Sequence, residues 1–433
     1  MAVDQAAPAA PRNSTRQVVV ASLVGTSIEF YDFYVYATAA VLVFPQLFFP
    51  AGDATAATLQ SLATFAIAFV ARPVGSALFG HFGDRIGRKS TLVASLLTMG
   101  ISTVLIGVLP GYAQIGVFAP LLLALCRFGQ GLGLGGEWGG AALLATENAP
   151  AGRRAFFGTF PQLGAPIGFF FANGLFLVLA GVMDEQTFLS WGWRVPFLVS
   201  AVLVAVGLWV RLTLTETPAF TKVVEQDARA KVPFAQLFRT DFKAVVLGTF
   251  IMLATYVLFY LMTVFTLSYG TSEAGLGYDR TSFLVMLLVG VVFFGLTVPV
   301  AGVLADRYGR RPTLIITTAA IIAFGLLTGP WFGADSLLAT VSFLVVGLGL
   351  MGMTFGPMGA VLPELFPTAV RYTGSSVAYN LGGLLGASLA PYVATWLAGN
   401  YGLGWVGVYL AAMAAITLLA LLASKETRES SLD

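Results

Sequence analysis

The sequence predicts an all-α membrane protein of twelve transmembrane helices, arranged as two six-helix halves. Three observations predict it. The 433-residue chain is 57% hydrophobic and only 10% charged, whereas a soluble globule carries roughly 25% charged residues to cover its surface. Its apolar residues gather into runs long enough to cross a bilayer, which takes about 20 residues. Patterns in the first half also return in the second at a nearly constant offset. Disorder is excluded, because disordered chains are rich in charge and poor in apolar residues.

Taken in order, the spans cover 18–48, 58–80, 90–110, 115–145, 155–181, 193–214, 243–270, 281–304, 312–333, 336–362, 372–398 and 403–424. Most connections are short. The exception, 215–242, is charged and separates the sixth span from the seventh. The expected organisation is therefore a tail at 1–16, a six-helix half at 17–214, a central loop at 215–242, a second half at 243–424 and a tail at 425–433. The first apolar run is too long for a signal-peptide core, so the first span is expected to be retained. With the N-terminus placed in the cytoplasm, all but four of the 23 Lys and Arg residues fall in cytoplasmic loops or tails. Arg194 and Arg280 lie on the other side, and Arg72 and Arg127 lie within spans. Excess positive charge inside sets orientation, so both termini are expected to be cytoplasmic.

Three stretches repeat between the halves. Gly80–Lys89 (GHFGDRIGRK) returns as Gly302–Arg311 (GVLADRYGRR) at an offset of 222. Gly131, Gly133 and Gly136 return as Gly347, Gly349 and Gly352 at an offset of 216, and Glu147, Pro150 and Arg154 return as Glu364, Pro367 and Arg371 at an offset of 217. Their shared order and equivalent positions indicate duplication. Six spans per half make the repeats parallel, related by an axis along the membrane normal.

The duplicated G-x-x-x-D-R-x-G-R-[KR] loop resembles that of the major facilitator superfamily. EFYDF (Glu29–Phe33), RFGQGLGLGGEWGGA (Arg127–Ala141), ENAP with the following RR (Glu147–Arg154), WGWRVPF (Trp191–Phe197) and PELFPTAVRYTGSSVAYN (Pro363–Asn380) together resemble its metabolite:proton symporter branch. Within that branch the chain resembles the enterobacterial inner-membrane metabolite carriers that neighbour the shikimate carriers. The resemblance extends from about residue 16 to residue 428. It implies the two-half facilitator fold, a bacterial inner-membrane location and transport by alternating access. It does not include the long C-terminal coiled coil of the osmosensory proline/betaine member.

Charges inside spans are expensive and mark function by default. Glu29 and Asp32 in span one are three residues apart and share a helix face. Carboxylates so close in low dielectric repel, which favours proton uptake. Both are candidate proton carriers, with Glu137 of span four as a third, for which a buried packing carboxylate is the alternative. In the facilitator fold, spans one and four face the cavity. Arg127 can then neutralise a span-one carboxylate or hold a substrate carboxylate in a bidentate pair; the competing role is a permanent ion pair that anchors helices. Gln130 lies one turn beyond Arg127 and seven residues before Glu137. Arg72, followed by Pro73, is read as a snorkelling or interfacial residue. Tyr31, Tyr34, Gln162, Asn173, Tyr256, Tyr260, Tyr379 and Asn380 are candidate cavity residues, with packing as the alternative for each. Tyr256 and Tyr260, four apart on one face, are placed to close over a small substrate.

The repeated loop reads as a gate. Gly83 and Gly87 permit a tight turn and Asp84 is suited to a helix N-terminus. The resemblance implies that Asp84, Arg85 and Arg88 latch the halves on the cytoplasmic side, with Asp306, Arg307 and Arg310 as the second copy. Glu147, Arg154, Glu364 and Arg371 are the expected partners.

Other chemistries find no support. One histidine (His81) and one cysteine (Cys126) cannot build a His/Cys metal site, so no metal or cofactor is expected. The net charge of +2 offers no case for nucleic acid. Gly131-x-Gly133-x-x-Gly136 matches a dinucleotide fingerprint but follows no strand, so close helix packing explains it better. The chain contains no P-loop or G-x-S-x-G signature, and an enzyme is not expected. The expected function is proton-coupled symport of a small carboxylated metabolite by a monomer. Export or antiport, and uptake of a zwitterion of the proline/betaine type, are the alternatives.

Overall fold

A computed structural model describes residues 15–49, 54–86, 88–213, 237, 239–367 and 370–429, without the side chains of 15, 16, 18, 55, 80–92, 211 and 213. Twelve helical spans run through it. They are α1 (Thr15–Leu42), α2 (Ala54–Ile86), α3 (Arg88–Val108), α4 (Phe118–Glu147), α5 (Arg154–Val182), α6 (Val195–Thr213), α7 (Phe242–Thr271), α8 (Arg280–Tyr308), α9 (Arg310–Leu326), α10 (Leu337–Glu364), α11 (Arg371–Tyr401) and α12 (Leu403–Ala423). Among the described residues, nine stretches of these are long and apolar enough on their own to cross a membrane. The others each have a visible reason to fall short: α1 carries Glu29 and Asp32, the described side chains of α3 begin at Val93, and α9 has only 17 residues. Large apolar side chains such as Phe171, Trp209 and Ile316 are exposed on the outer face, as a lipid-facing surface requires.

Packing repeats as the sequence does. In the first half α1 packs on α5, α2 on α4, and α3 on α6; the second half repeats this as α7 on α11, α8 on α10, and α9 on α12. The halves meet along two seams that the same symmetry relates, α5 against α8 and α2 against α11. Small residues make close approach possible. A Cβ at Gly131 would fall on the α2 backbone at Ala68, and one at Gly133 would fall on Met99 and Ser95 of α3. Gly131-x-Gly133-x-x-Gly136 is thus a packing stripe, as its place inside a span predicts.

The repeated loop is tighter than the sequence reading. Helix α2 continues through Gly83, Asp84 and Arg85 to Ile86, and α3 starts at Arg88. Asp84 therefore sits inside the last turn of a helix and not at an N-terminus. Gly87 and the side chains of Asp84, Arg85 and Arg88 lie outside the described residues. The second copy shows why one residue suffices: Gly309, at φ +105°, makes the whole turn between α8 and α9.

At the opposite end, Asp184 accepts bonds from the Thr187 hydroxyl (2.7 Å) and amide (3.0 Å), and Asp279 caps α8 through Ser282 (2.9 Å). These bonds hold both carboxyls below the usual carboxylate range. Each cap is therefore intact at neutral pH and lost only on strong acidification.

Candidate functional site

The middle of the molecule holds four buried charges: Glu29 and Asp32 on α1, Arg72 on α2 and Arg127 on α4. Each guanidinium stacks on aromatic rings. Arg127 lies 4.0 Å from the Tyr36 centroid, 4.3 Å from Phe33 and 4.8 Å from Phe65, and Arg72 lies 4.8 Å from both Phe33 and Phe69. The two cations thus share the Phe33 ring, an arrangement that desolvated cation–π attraction supports.

Arg127 is 0% exposed. One terminal nitrogen, Nη1, donates to Gln130 Oε1 at 2.9 Å. Its Nε and Nη2 have no hydrogen-bond partner. Those two nitrogens form the edge of the guanidinium that receives a carboxylate through two parallel N–H···O bonds. Leaving them unsatisfied in the interior is costly, so an open edge here is a structural expense without a structural return. Among the described residues no carboxylate oxygen lies within ion-pair distance of Arg127. A permanent helix-anchoring ion pair is therefore not what this residue makes.

Asp32, also 0% exposed, is reached indirectly. Gln130 Nε2 donates to the Thr103 hydroxyl at 2.8 Å, and that hydroxyl lies 3.3 Å from Asp32 Oδ2. A hydrogen-bonded chain Arg127–Gln130–Thr103–Asp32 thus joins α4, α3 and α1. Glu29 is buried and partnered, within electrostatic reach of Arg72. Glu137 is buried and partnered as well, at the start of a new segment after α4 breaks at Gly135 and Gly136.

That break is where the second half grips the first. The Gly136 carbonyl accepts from the Tyr372 hydroxyl at 2.5 Å, and the Gly135 carbonyl accepts from Asn380 Nδ2 at 3.1 Å and from the Ser76 hydroxyl. Asn380 Nδ2 also reaches Ser76 at 2.9 Å. Gln162 accepts from Trp138 Nε1 and donates to the Phe355 carbonyl across the seam, both at 3.0 Å. In this closed arrangement the polar atoms of Asn380 and Gln162 tie the halves together. Tyr31 donates to the Pro196 carbonyl at 2.9 Å, and Asn173 bonds Thr38 at 2.8 Å and Phe169 at 3.1 Å. Both make packing bonds within the first half.

Aromatic residues close the centre. Tyr256 and Tyr260 lie with rings nearly parallel (5°) and centroids 6.5 Å apart, as their spacing predicts. Tyr260 packs on Phe33, Phe65 and Phe69, Tyr379 stacks on Trp138 at 3.9 Å, and Tyr34 meets Phe169 and Phe259. A π-turn at Leu261–Phe265 interrupts α7 directly after Tyr260, a register slip frequent at functional positions.

The end carrying the repeated loops is closed by backbone contact and charge. A Cβ at Gly359 would fall on the backbone of Gly158, so α5 and α10 touch there. Gly359→Leu is expected to hold this end apart, seen as faster maleimide labelling of a cysteine placed at Ser376, which packs on Gly139 across the seam. Asp306 accepts from the Ala155 and Phe156 amides at 3.0 and 2.9 Å, capping α5 from the other half. Arg310 joins it at 3.1 Å and holds Glu364 bidentately at 3.1 and 3.2 Å. Glu147, Arg154 and Glu364 stand within electrostatic reach of Arg371. Arg307 lies outside this network, exposed against the Tyr308 ring. Because Arg310 and Glu364 are both buried, Glu364→Gln is expected to cost about 3 kcal/mol of stability, measured as a lowered melting temperature in detergent.

Thr103, Trp138 and Phe33 are central residues that sequence reasoning did not single out, and Arg72, read from the sequence as interfacial, belongs with them. Arg72 had a signal: α2 continues 14 residues beyond it to Ile86, or about 21 Å at 1.5 Å per residue, which puts Arg72 deep and not at an interface.

A profile of the sugar (and other) transporter family matches residues 17–241 and again 225–433. The inner membrane metabolite transport protein YhjE of Escherichia coli is 65% identical over 425 residues, spanning 98% of this chain and 97% of that protein. The shikimate transporter of Escherichia coli is 37% identical over 428 residues, spanning 96% and 95%. Among solved structures, a partially occluded inward-open form of the Escherichia coli xylose transporter XylE superimposes with a TM-score of 0.76 at 17% identity, over 96% of this chain and 99% of that one.

Proposed function

The chain belongs to the sugar (and other) transporter family of the major facilitator superfamily, and from that premise we propose that it imports a small carboxylated metabolite together with a proton. It is a membrane transporter of small molecules and not an enzyme. The observation that carries the finer reading is the open Nε/Nη2 edge of buried Arg127. A carboxylate there would satisfy both donors and neutralise the charge. The aromatic walls suit a compact substrate with an apolar ring or face, and the similarity to a shikimate transporter agrees with such an acid.

Coupling follows from charge. Around Phe33 two buried cations stand with the two carboxylates of α1, so that cluster is balanced when both carboxylates are ionised; Glu137, buried beyond the α4 break, is the third candidate for the proton. An incoming anion unbalances the cluster by one, and a proton on Asp32, or on its neighbour Glu29, restores neutrality. Loaded with both or with neither, the site can be enclosed in low dielectric; loaded with one alone it resists closure. The halves 17–214 and 243–424 rock about this centre as a monomer. The sorting of basic residues supports cytoplasmic termini in a bacterial inner membrane. The Asp306–Arg310–Glu364 network then forms the cytoplasmic gate, with its counterpart at Gly83–Arg88.

The test is proton movement in proteoliposomes on adding a panel of organic acids and betaines. Proton influx driven by one carboxylate, absent in Arg127→Ala, is expected. Uptake without proton movement, or proton movement against the substrate, would overturn symport; a response to betaines alone would replace the carboxylate with a zwitterion.

A further inference from the structure

We propose that Thr103 is the relay through which the protonation state of Asp32 sets how strongly Arg127 attracts an anion. The inference rests on the reading of Asp32 as proton site and Arg127 as carboxylate site. Arg127 and Asp32 make no direct ion pair, and the path between them is the chain through Gln130 and Thr103. Thr103 has one hydroxyl hydrogen and two possible acceptors for it: Asp32 Oδ2 at 3.3 Å and its own helix carbonyl at Met99, 3.0 Å. A hydroxyl donates once and accepts twice.

With Asp32 ionised, every donor in the chain points from the cation to the anion: Arg127 to Gln130, Gln130 to Thr103, Thr103 to Asp32. Bonds aligned in this way polarise one another, and Arg127 is partly satisfied by a remote counter-charge. A proton arriving from water at Asp32 reverses the last link. Asp32 then donates to the Thr103 oxygen, and the Thr103 hydrogen turns to Met99. The chain no longer ends on an anion, and Arg127 is left to seek a carboxylate at its open edge. By reciprocity, a carboxylate bound at Arg127 raises the proton affinity of Asp32 by the same factor.

The other groups around Asp32 lack this property. Glu29 and Tyr31 lie on its own helix, Ser200 of α6 is beside it, and Arg72 of α2 stacks on the Phe33 ring that Arg127 also contacts. None of them bonds to Arg127. Sequence offers only a weak pointer to Thr103, a polar residue in an apolar span.

The test needs no substrate. The protonated carboxyl band of Asp32, assigned by its loss in Asp32→Asn, is titrated by infrared difference spectroscopy in proteoliposomes. Arg127→Met is expected to raise the midpoint pH, so that half-protonation needs at least about tenfold less proton. In a Thr103→Val background the same change should move it less than about twofold, and Thr103→Ser should restore the full shift. Gln130→Leu breaks the chain at a second point and serves where Thr103→Val does not fold. Equal shifts with and without the relay would overturn the proposal, since through-space attraction would then carry the coupling. Absence of carboxylate-driven proton flux in the unmodified protein would instead strike the transport reading, and the two failures are separable.

Discussion

Arg127→Met is expected to reduce carboxylate uptake in proteoliposomes by about a hundredfold or more while leaving the protein folded. The magnitude follows from two charge-assisted bonds at the open guanidinium edge, each worth about 1.5–3 kcal/mol. Stability separates this from an anchoring role. Breaking a paired buried charge costs about 3–5 kcal/mol. Arg127 has two unsatisfied donors, one bond to Gln130 and three ring contacts. Its replacement by an apolar side chain of similar length should cost less than about 2 kcal/mol, the desolvation recovered offsetting much of the stacking lost. Arg127→Lys keeps the charge without the fork, so uptake should fall by roughly tenfold. A large drop in melting temperature alongside lost uptake would mean that the residue holds helices.

The span count, the duplication and the short connections were all legible in the sequence, because each is written in composition or in repeated motifs. Even the faint spots have a chemical origin: α1 reads weakly as a span because it carries Glu29 and Asp32. The centre was legible to the extent that charge is conspicuous in an apolar run. What could not be read was pairing across helices. Arg127 and Asp32 both stand out, but nothing in the spacing of α1, α3 and α4 says that Gln130 and Thr103 lie between them. Asn380 and Gln162 look like cavity residues by type, yet their bonds run to backbone carbonyls of the opposite half. The Asn380 bond depends on the break at Gly135 and Gly136, and the Gln162 bond on the corresponding break after Phe355 in α10; each frees a carbonyl that a continuous helix would have used. Arg72 was misplaced for a simpler reason, a helix end set too early.

Asp32→Asn is expected to abolish accumulation while sparing exchange. The anion and one proton together carry no net charge across the membrane, so the potential adds nothing and the pH gradient alone drives accumulation, at about 1.4 kcal/mol per pH unit. Each pH unit therefore sustains about a tenfold gradient, since 1.4 kcal/mol is tenfold. Asparagine is nearly isosteric with aspartic acid and mimics its neutral form, and its amide can still donate to Thr103. The variant therefore resembles the permanently protonated carrier, which the charge balance at Arg72, Arg127 and Glu29 leaves ready for an anion. Counterflow of labelled substrate across vesicles loaded with unlabelled substrate should persist, because the substrate-loaded centre stays neutral in both directions. Net uptake against a gradient should fall to equilibration, because no proton is released and none drives return of the empty carrier. The pH dependence of substrate affinity should flatten as well, the titrating group being gone. Were Glu29→Gln rather than Asp32→Asn to give this pattern, the proton site would move one helical turn along α1, and the relay through Thr103 would be left serving Asp32 as a fixed counter-charge.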